Sequence, residues 1–174
     1  MKLTDLMSSY LLGEKLESLV FIVPLGLLSA LFGTWLLTER SAPFARGAGW
    51  PFLVIGLLLT GTGAVVGFRT PAQVERLTAA FAAEPEATRT GELARMEKVN
   101  GAWSTYVALW ATFAVAGLAL RFALRSPLAH GVGAALLFFA GVGLLVDGFA
   151  EHRARGYTEA LAAEPAERVV PPGG

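Results

Sequence analysis

The sequence predicts an all-α polytopic membrane protein: four transmembrane helices arranged as a duplicated two-helix unit, with helices extending beyond the membrane. Three observations carry this expectation. First, stretches without Asp, Glu, Lys or Arg run over 18–38, 47–68, 99–120 and 126–146, each 21 or 22 residues long. About 20 apolar residues at 1.5 Å rise cross a ~30 Å hydrocarbon core, and a bilayer admits only helices or closed barrels. Second, 54% of the 174 residues are hydrophobic and 16% charged, which leaves little chain for a soluble domain. Third, motifs recur in the same order: Pro43-Phe-Ala-Arg-Gly47 before span two resembles Pro127-Leu-Ala-His-Gly131 before span four. Gly61-Thr-Gly63 answers Gly141-Val-Gly143, Gly67-Phe68 answers Gly148-Phe149, and Thr78–Pro85 answers Thr158–Pro165. A duplicated two-span unit keeps the same topology in both copies and relates them by a pseudo-two-fold axis along the membrane normal. The plain alternative is chance similarity between Ala/Gly-rich helices.

The elements follow in order. Residues 1–17 form an amphipathic segment, with Leu3, Leu6, Met7, Tyr10 and Leu11 on one helical face, lying against the rest of the protein or along the interface. Asp5, Glu14 and Glu17 stand where a cleaved signal would carry basic residues, so span one is expected to be retained. Pro24 kinks span one, and Pro51 restarts or kinks span two. Ser126-Pro127 reads as an N-cap with proline in the first turn, and Ser41 with Pro43 as a looser version.

The membrane domain covers 18–168, with helical extensions over about 69–98 and 147–163. In the extensions Val74, Leu77 and Phe81 share a face, as do Leu93, Met96, Val99 and Trp103, and Tyr157 with Leu161. Glu84-Pro85 and Glu164-Pro165 are stop signals, and 169–174 reads as a flexible tail.

Ten Lys and Arg residues lie on the side of both termini and the middle connection, against Arg40, Arg46, Arg121 and Arg125 on the short-loop side. By the positive-inside rule this favours cytoplasmic termini, although the ten are spread among most of the acidic residues. The Ala, Gly and Arg bias suggests a bacterial source and hence an inner membrane.

No cysteine is present, which excludes thiolate metal sites and thiol exchange within the chain. Formal net charge is zero, so nothing points to nucleic acid. Spans one to three carry no ionisable Asp, Glu, Lys, Arg or His, whereas ion-coupled carriers need such groups in the membrane. His130 and His152 lie near opposite ends of one helix and cannot jointly ligate a haem, so no cofactor and no metal is predicted.

The candidate polar site is at the membrane surface: Asp147, Glu151 and His152 after span four, Glu97, Asn100, Trp103 and Ser104 at the start of span three, and Arg69 after span two. The functional reading is an interhelical pocket; the plain alternative is a solvated helix exit held by ion pairs. Asp147-Gly148 with Arg153 and Arg155 superficially resembles the phosphatidyl-alcohol transferase motif. However, position 144 is Leu and no aspartate follows Asp147, which excludes that family.

Small residues are the clearer signal. Gly33, Gly63, Gly67 and Gly133 fall in small-xxx-small pairs that let helix backbones approach closely, and Phe81, Met96 and Leu161 are the candidate contacts of the extensions. The expected function is therefore non-catalytic: an accessory or scaffolding subunit of a membrane complex, or a homo-oligomer, with membrane lipid and a protein partner or further copies of the chain around it. The alternative is a small carrier or lipophile-binding protein with an interfacial site near Asp147. A third reading, a lipid-modifying enzyme using Glu97, Glu151 and His152 as acid/base groups, has no reaction-specific spacing behind it.

Overall fold

The computed structural model describes residues 3–38 and 42–163, and every element among them is helical. Helix α1 (Leu3–Glu17) passes through a π-helical turn, Ser18–Ile22, into α2 (Val23–Thr38). Helices α3 (Pro43–Ala83), α4 (Pro85–Phe122) and α5 (Pro127–Ala163) follow. The α1–α2 rod and the three later helices are each long and apolar enough to cross a membrane, and the protein is an integral membrane protein with a four-span helical fold. At 41 residues α3 is roughly 60 Å long, about twice the hydrocarbon thickness, so it continues well beyond the lipid. Proline opens α3, α4 and α5, where its fixed φ suits the first turn and its missing N–H costs nothing.

The π turn has a local cause. The Val23 N–H bonds to the Ser18 carbonyl five residues back. Pro24 follows directly, and in a regular helix its ring would press on the carbonyl four residues earlier with no N–H to bond it. Widening the preceding turn relieves that pressure. Sequence reasoning expects a kink at Pro24; the chain accommodates it as one wide turn that keeps the rod continuous.

In the membrane-spanning half the helices form an open row in the order α2, α3, α5, α4. Each seam is built on glycine. Between the antiparallel α2 and α3, a Cβ placed on Gly26 would stand 2.7 Å from the Gly56 carbonyl oxygen, and one on Gly56 2.7 Å from the Gly26 oxygen. Gly33 and Gly49 repeat the arrangement one heptad away, at 2.7 and 3.0 Å. Farther along, Gly63 receives Ile22 and Val23, and Gly67 receives Leu19. Between α4 and α5, Gly117 and Gly133 face each other's backbone, and Gly143 lies under the Trp110 ring.

The central seam joins α3 and α5, which run parallel. A Cβ on Gly47 would run into the Leu128 carbonyl, and one on Gly131 into the Phe44 carbonyl. Such close approach replaces the hydrophobic drive that lipid removes.

Beyond the membrane the four rods close into a bundle, the stalk. Its core is Met7, Tyr10 and Leu11 of α1, Phe81 of α3, Met96 of α4, and Ala154, Tyr157 and Leu161 of α5, all buried. The Tyr10 and Tyr157 rings stack with centroids 4.6 Å apart. Arg89 of α4 reaches across to the last turn of α5, donating from Nε to the Leu161 carbonyl (2.8 Å) and from Nη2 to the Ala162 carbonyl (3.2 Å). These are acceptors a helix end leaves open, and a cation there suits the helix dipole. The N-terminal segment therefore packs into the stalk. The 169–174 tail, the Ser41 cap and the Glu164-Pro165 stop lie outside the described residues.

Candidate functional site

The predicted polar residues divide among separate places. Asp147 is turned towards the membrane half: the Trp110 indole N–H donates to its Oδ2 at 2.6 Å. Gly143 makes this possible, since the indole ring lies where a side chain at 143 would sit, one helical turn before Asp147. The bond spans 37 residues and ties α4 to α5.

Asn100, Trp103, Ser104 and Glu151 do come together. With Gly101, Val107, Ala108 and Arg155 they line a groove of about 560 Å³ between α4 and α5. Asn100 donates from Nδ2 to Thr158 Oγ1 at 2.9 Å, and Glu151 pairs with Arg155 one turn on. Asn100 Oδ1 and Trp103 Nε1 are enclosed and have no protein partner. The groove is polar at its stalk end and apolar at its membrane end, where Val107 and Ala108 stand. Glu97 and His152 are exposed and do not line it.

Arg69 lies elsewhere. It lines a separate cavity of about 430 Å³ with Ala72, Gln73 and Arg76 of α3 and Arg95 of α4. Ala72, Gln73 and Arg76 follow Arg69 by three, four and seven residues, the spacing of one helix face.

A buried polar centre in the stalk has no counterpart in the sequence prediction. Glu92 is only 4% exposed. Its two oxygens accept from Arg95 Nε (2.8 Å) and Nη2 (2.7 Å), and Oε1 also accepts from the Tyr157 hydroxyl at 3.2 Å. Tyr10 donates to Glu14 at 2.6 Å. Burial raises both phenols above the ordinary tyrosine value, and the negative charge of Glu14 beside Tyr10 and of Glu92 beside Tyr157 raises them further. At the base of the stalk Arg153 pairs with Glu17.

Glu92 was detectable in principle. It lies four residues before Met96 and seven before Val99, on the same apolar stripe. The Trp110–Asp147 bond carried a fainter signal, a deep indole and a span-end carboxylate with a glycine one turn away.

The seven contact residues are all buried within the chain. Gly33, Gly63, Gly67 and Gly133 fill the seams, and Phe81, Met96 and Leu161 fill the stalk core. Among the described residues no three His, Asp or Glu side chains converge to hold a metal ion. No family model, curated protein or solved structure matches this chain.

Proposed function

We propose that this protein is a non-catalytic component of the bacterial cytoplasmic membrane that works through helix–helix contacts. It is an accessory or scaffolding subunit of a larger complex, or a homo-oligomer, with both termini on the cytoplasmic side. The observation that supports this reading is an exposed stripe of small residues along α4, which borders the α4/α5 groove at Gly101 and Ala108. Gly101, Thr105, Ala108, Thr112 and Ala119 recur at spacings of three, four and seven, and all are exposed. A Cβ on Gly101 would meet nothing within 4 Å. The Thr112 hydroxyl is bonded back to the Ala108 carbonyl at 2.8 Å, so it adds no free donor to the stripe, which the exposed Val115 interrupts before Ala119. The paired glycines of the seams are consumed by the chain's own contacts, whereas this stripe is left for a neighbouring helix.

The architecture as a duplicated unit belongs to the same proposal. Gly47 and Gly131, equivalent in the sequence repeat, approach equivalent carbonyls of each other's helix, the reciprocity a two-fold axis imposes. Gly63 and Gly143 are both packed, and Gly61 and Gly141 are both open. Gly67 meets Leu19 while Gly148 meets nothing, so the likeness fades towards the stalk. Such a unit is suited to presenting a paired surface to a partner.

The test is gentle extraction with native lipid followed by native mass spectrometry. The expected species contains a stoichiometric second protein or several copies of this chain. Ala108→Leu with Thr112→Leu is expected to release the single chain with helical content unchanged. A wild-type protein found only as a lone chain would sink the proposal.

A second reading, a lipophile binder or carrier, draws on the α4/α5 groove. The groove is lined by Asn100, Ser104, Glu151 and Arg155 at its polar end and by Val107 and Ala108 at its apolar end, the mixture an amphipathic ligand requires. A co-purifying small molecule, lost on Asn100→Leu, would favour it.

A further inference from the structure

The second cavity carries a different and independent inference. On α3 the span-two run ends at Phe68, and Arg69 is the first charged residue after it. Arg69, Gln73 and Arg76 rise from there along one face of α3, with Ala72 leaving room between them. Arg95 of α4 forms the opposite wall.

No carboxylate lines the space, and neither Arg69 nor Arg76 forms an ion pair with a described residue. Arg95 is different. Its Nε and one Nη hold Glu92, so it is fixed in place with Nη1 unspent by that pair. The charge of Arg95 is answered by Glu92, with Glu14 also nearby, so the positive charge free to face the cavity is that of Arg69 and Arg76. That cavity stands just beyond the end of a membrane span, the depth of lipid headgroups.

We propose that this notch is a phosphate-binding site, in which Arg69 and Arg76 grip the anion, Arg95 closes the far wall and Gln73 contributes an amide donor. The guanidinium fork matches the oxygens of a phosphate and binds it two bonds at a time. The cavity, about 430 Å³, holds a phosphate and its ester substituents with space left over. At this depth the phosphate is supplied either by the phosphodiester of an anionic lipid or by a small soluble phosphate, and both present the same group. The site is on the α3/α4 side of the stalk base. It is thus distinct from the small-residue stripe of α4 and from the α4/α5 groove, and its existence does not depend on any assembly.

The full-length protein in mild detergent is titrated with phosphatidylglycerol and, separately, with inorganic phosphate, and bound adducts are counted by native mass spectrometry. Arg69→Gln with Arg76→Gln is expected to weaken binding about thirtyfold, the loss appropriate to two guanidiniums at a membrane surface. Both side chains are exposed, so the fold is expected to survive their replacement. Ala72→Leu, which fills the notch without changing charge, is expected to weaken binding as well. Phosphatidylglycerol binding that excess inorganic phosphate fails to displace identifies a lipid headgroup as the source. Displacement by inorganic phosphate, with binding of phosphate alone, identifies a soluble one. Equal binding of each probe by wild-type, Ala72→Leu and double-arginine proteins, or binding of neither probe, overturns the proposal.

Discussion

At the residue scale the fold depends on hydrogens that take the place of side chains. Gly131 lies against the Phe44 carbonyl, and any β-carbon there must force α3 and α5 apart. Overpacking of this kind costs about 1–3 kcal/mol. Gly141, ten residues along the same helix, has nothing within 4 Å. Gly131→Ala is therefore expected to lower the thermal midpoint in detergent by several degrees, and Gly141→Ala to leave it unchanged or slightly raised. An unchanged midpoint for Gly131→Ala would show that the central seam gives way without cost. Which glycines are structural was only partly legible in the sequence. Gly33, Gly63, Gly67 and Gly133 were found through small-xxx-small spacing, but spacing marks a narrow face without saying what fills it. Glu92 was missed for a different reason: a carboxylate on an apolar stripe reads as a surface residue until Arg95 and Tyr157 are seen to satisfy it.

At the scale of elements the π turn sets the register of the N-terminal rod. A π turn accommodates one residue more than the regular helix, and without it α1 would be rotated by about 100° relative to α2. Met7, Tyr10 and Leu11 would then point away from the stalk core they now fill. Deleting Val20, an exposed residue within the wide turn, together with Pro24→Ala, is expected to convert it to regular helix with both flanks in phase. Deleting Leu28, which lies outside the turn, throws α1 out of phase with the stalk. Hydrogen exchange of the α1 amides checks this. They should stay protected in the first variant and become fast in the second, and equal protection in both would refute the register argument. None of this could be read in advance. Pro24 announced a disturbance, but the sequence around it does not contain the contacts of Leu19, Ile22 and Val23 with Gly67 and Gly63 that accompany the wide turn. The later spans were plain from the start, because their boundaries are fixed by charges whose cost in hydrocarbon admits no compromise.

At the scale of the whole molecule, two kinds of packing meet end to end. The membrane half is an open row held by main chain against main chain, and the stalk is a closed bundle with a mixed polar and aromatic core. They should respond differently to alkali. In the unfolded chain a phenol titrates near 10, whereas Tyr10 and Tyr157 hold their protons to higher pH in the stalk. The folded stalk thus binds protons more tightly than the unfolded chain. The contribution of these two groups to stability is complete below about pH 10 and falls as pH rises past it. Tyrosine absorbance and stalk hydrogen exchange followed from pH 8 to 12 should show the stalk loosening above about 10 while the glycine seams persist. A single concerted loss of both halves would contradict this division.

The four rods and the stalk contacts at Phe81, Met96 and Leu161 were legible because periodicity and charge exclusion act locally. The partition of the polar residues was not. Asp147 and Arg69 share a membrane level in the sequence, but their partners are set by helix rotation, which a depth count does not contain.

The seams have a mechanical consequence. Where side chains mesh, a sideways push is absorbed by rotamer changes; where carbonyl rests on glycine, nothing soft lies between. A force applied to the stalk would pass along α3 and α5 to the short-loop end as the motion of a strut, with little lost on the way.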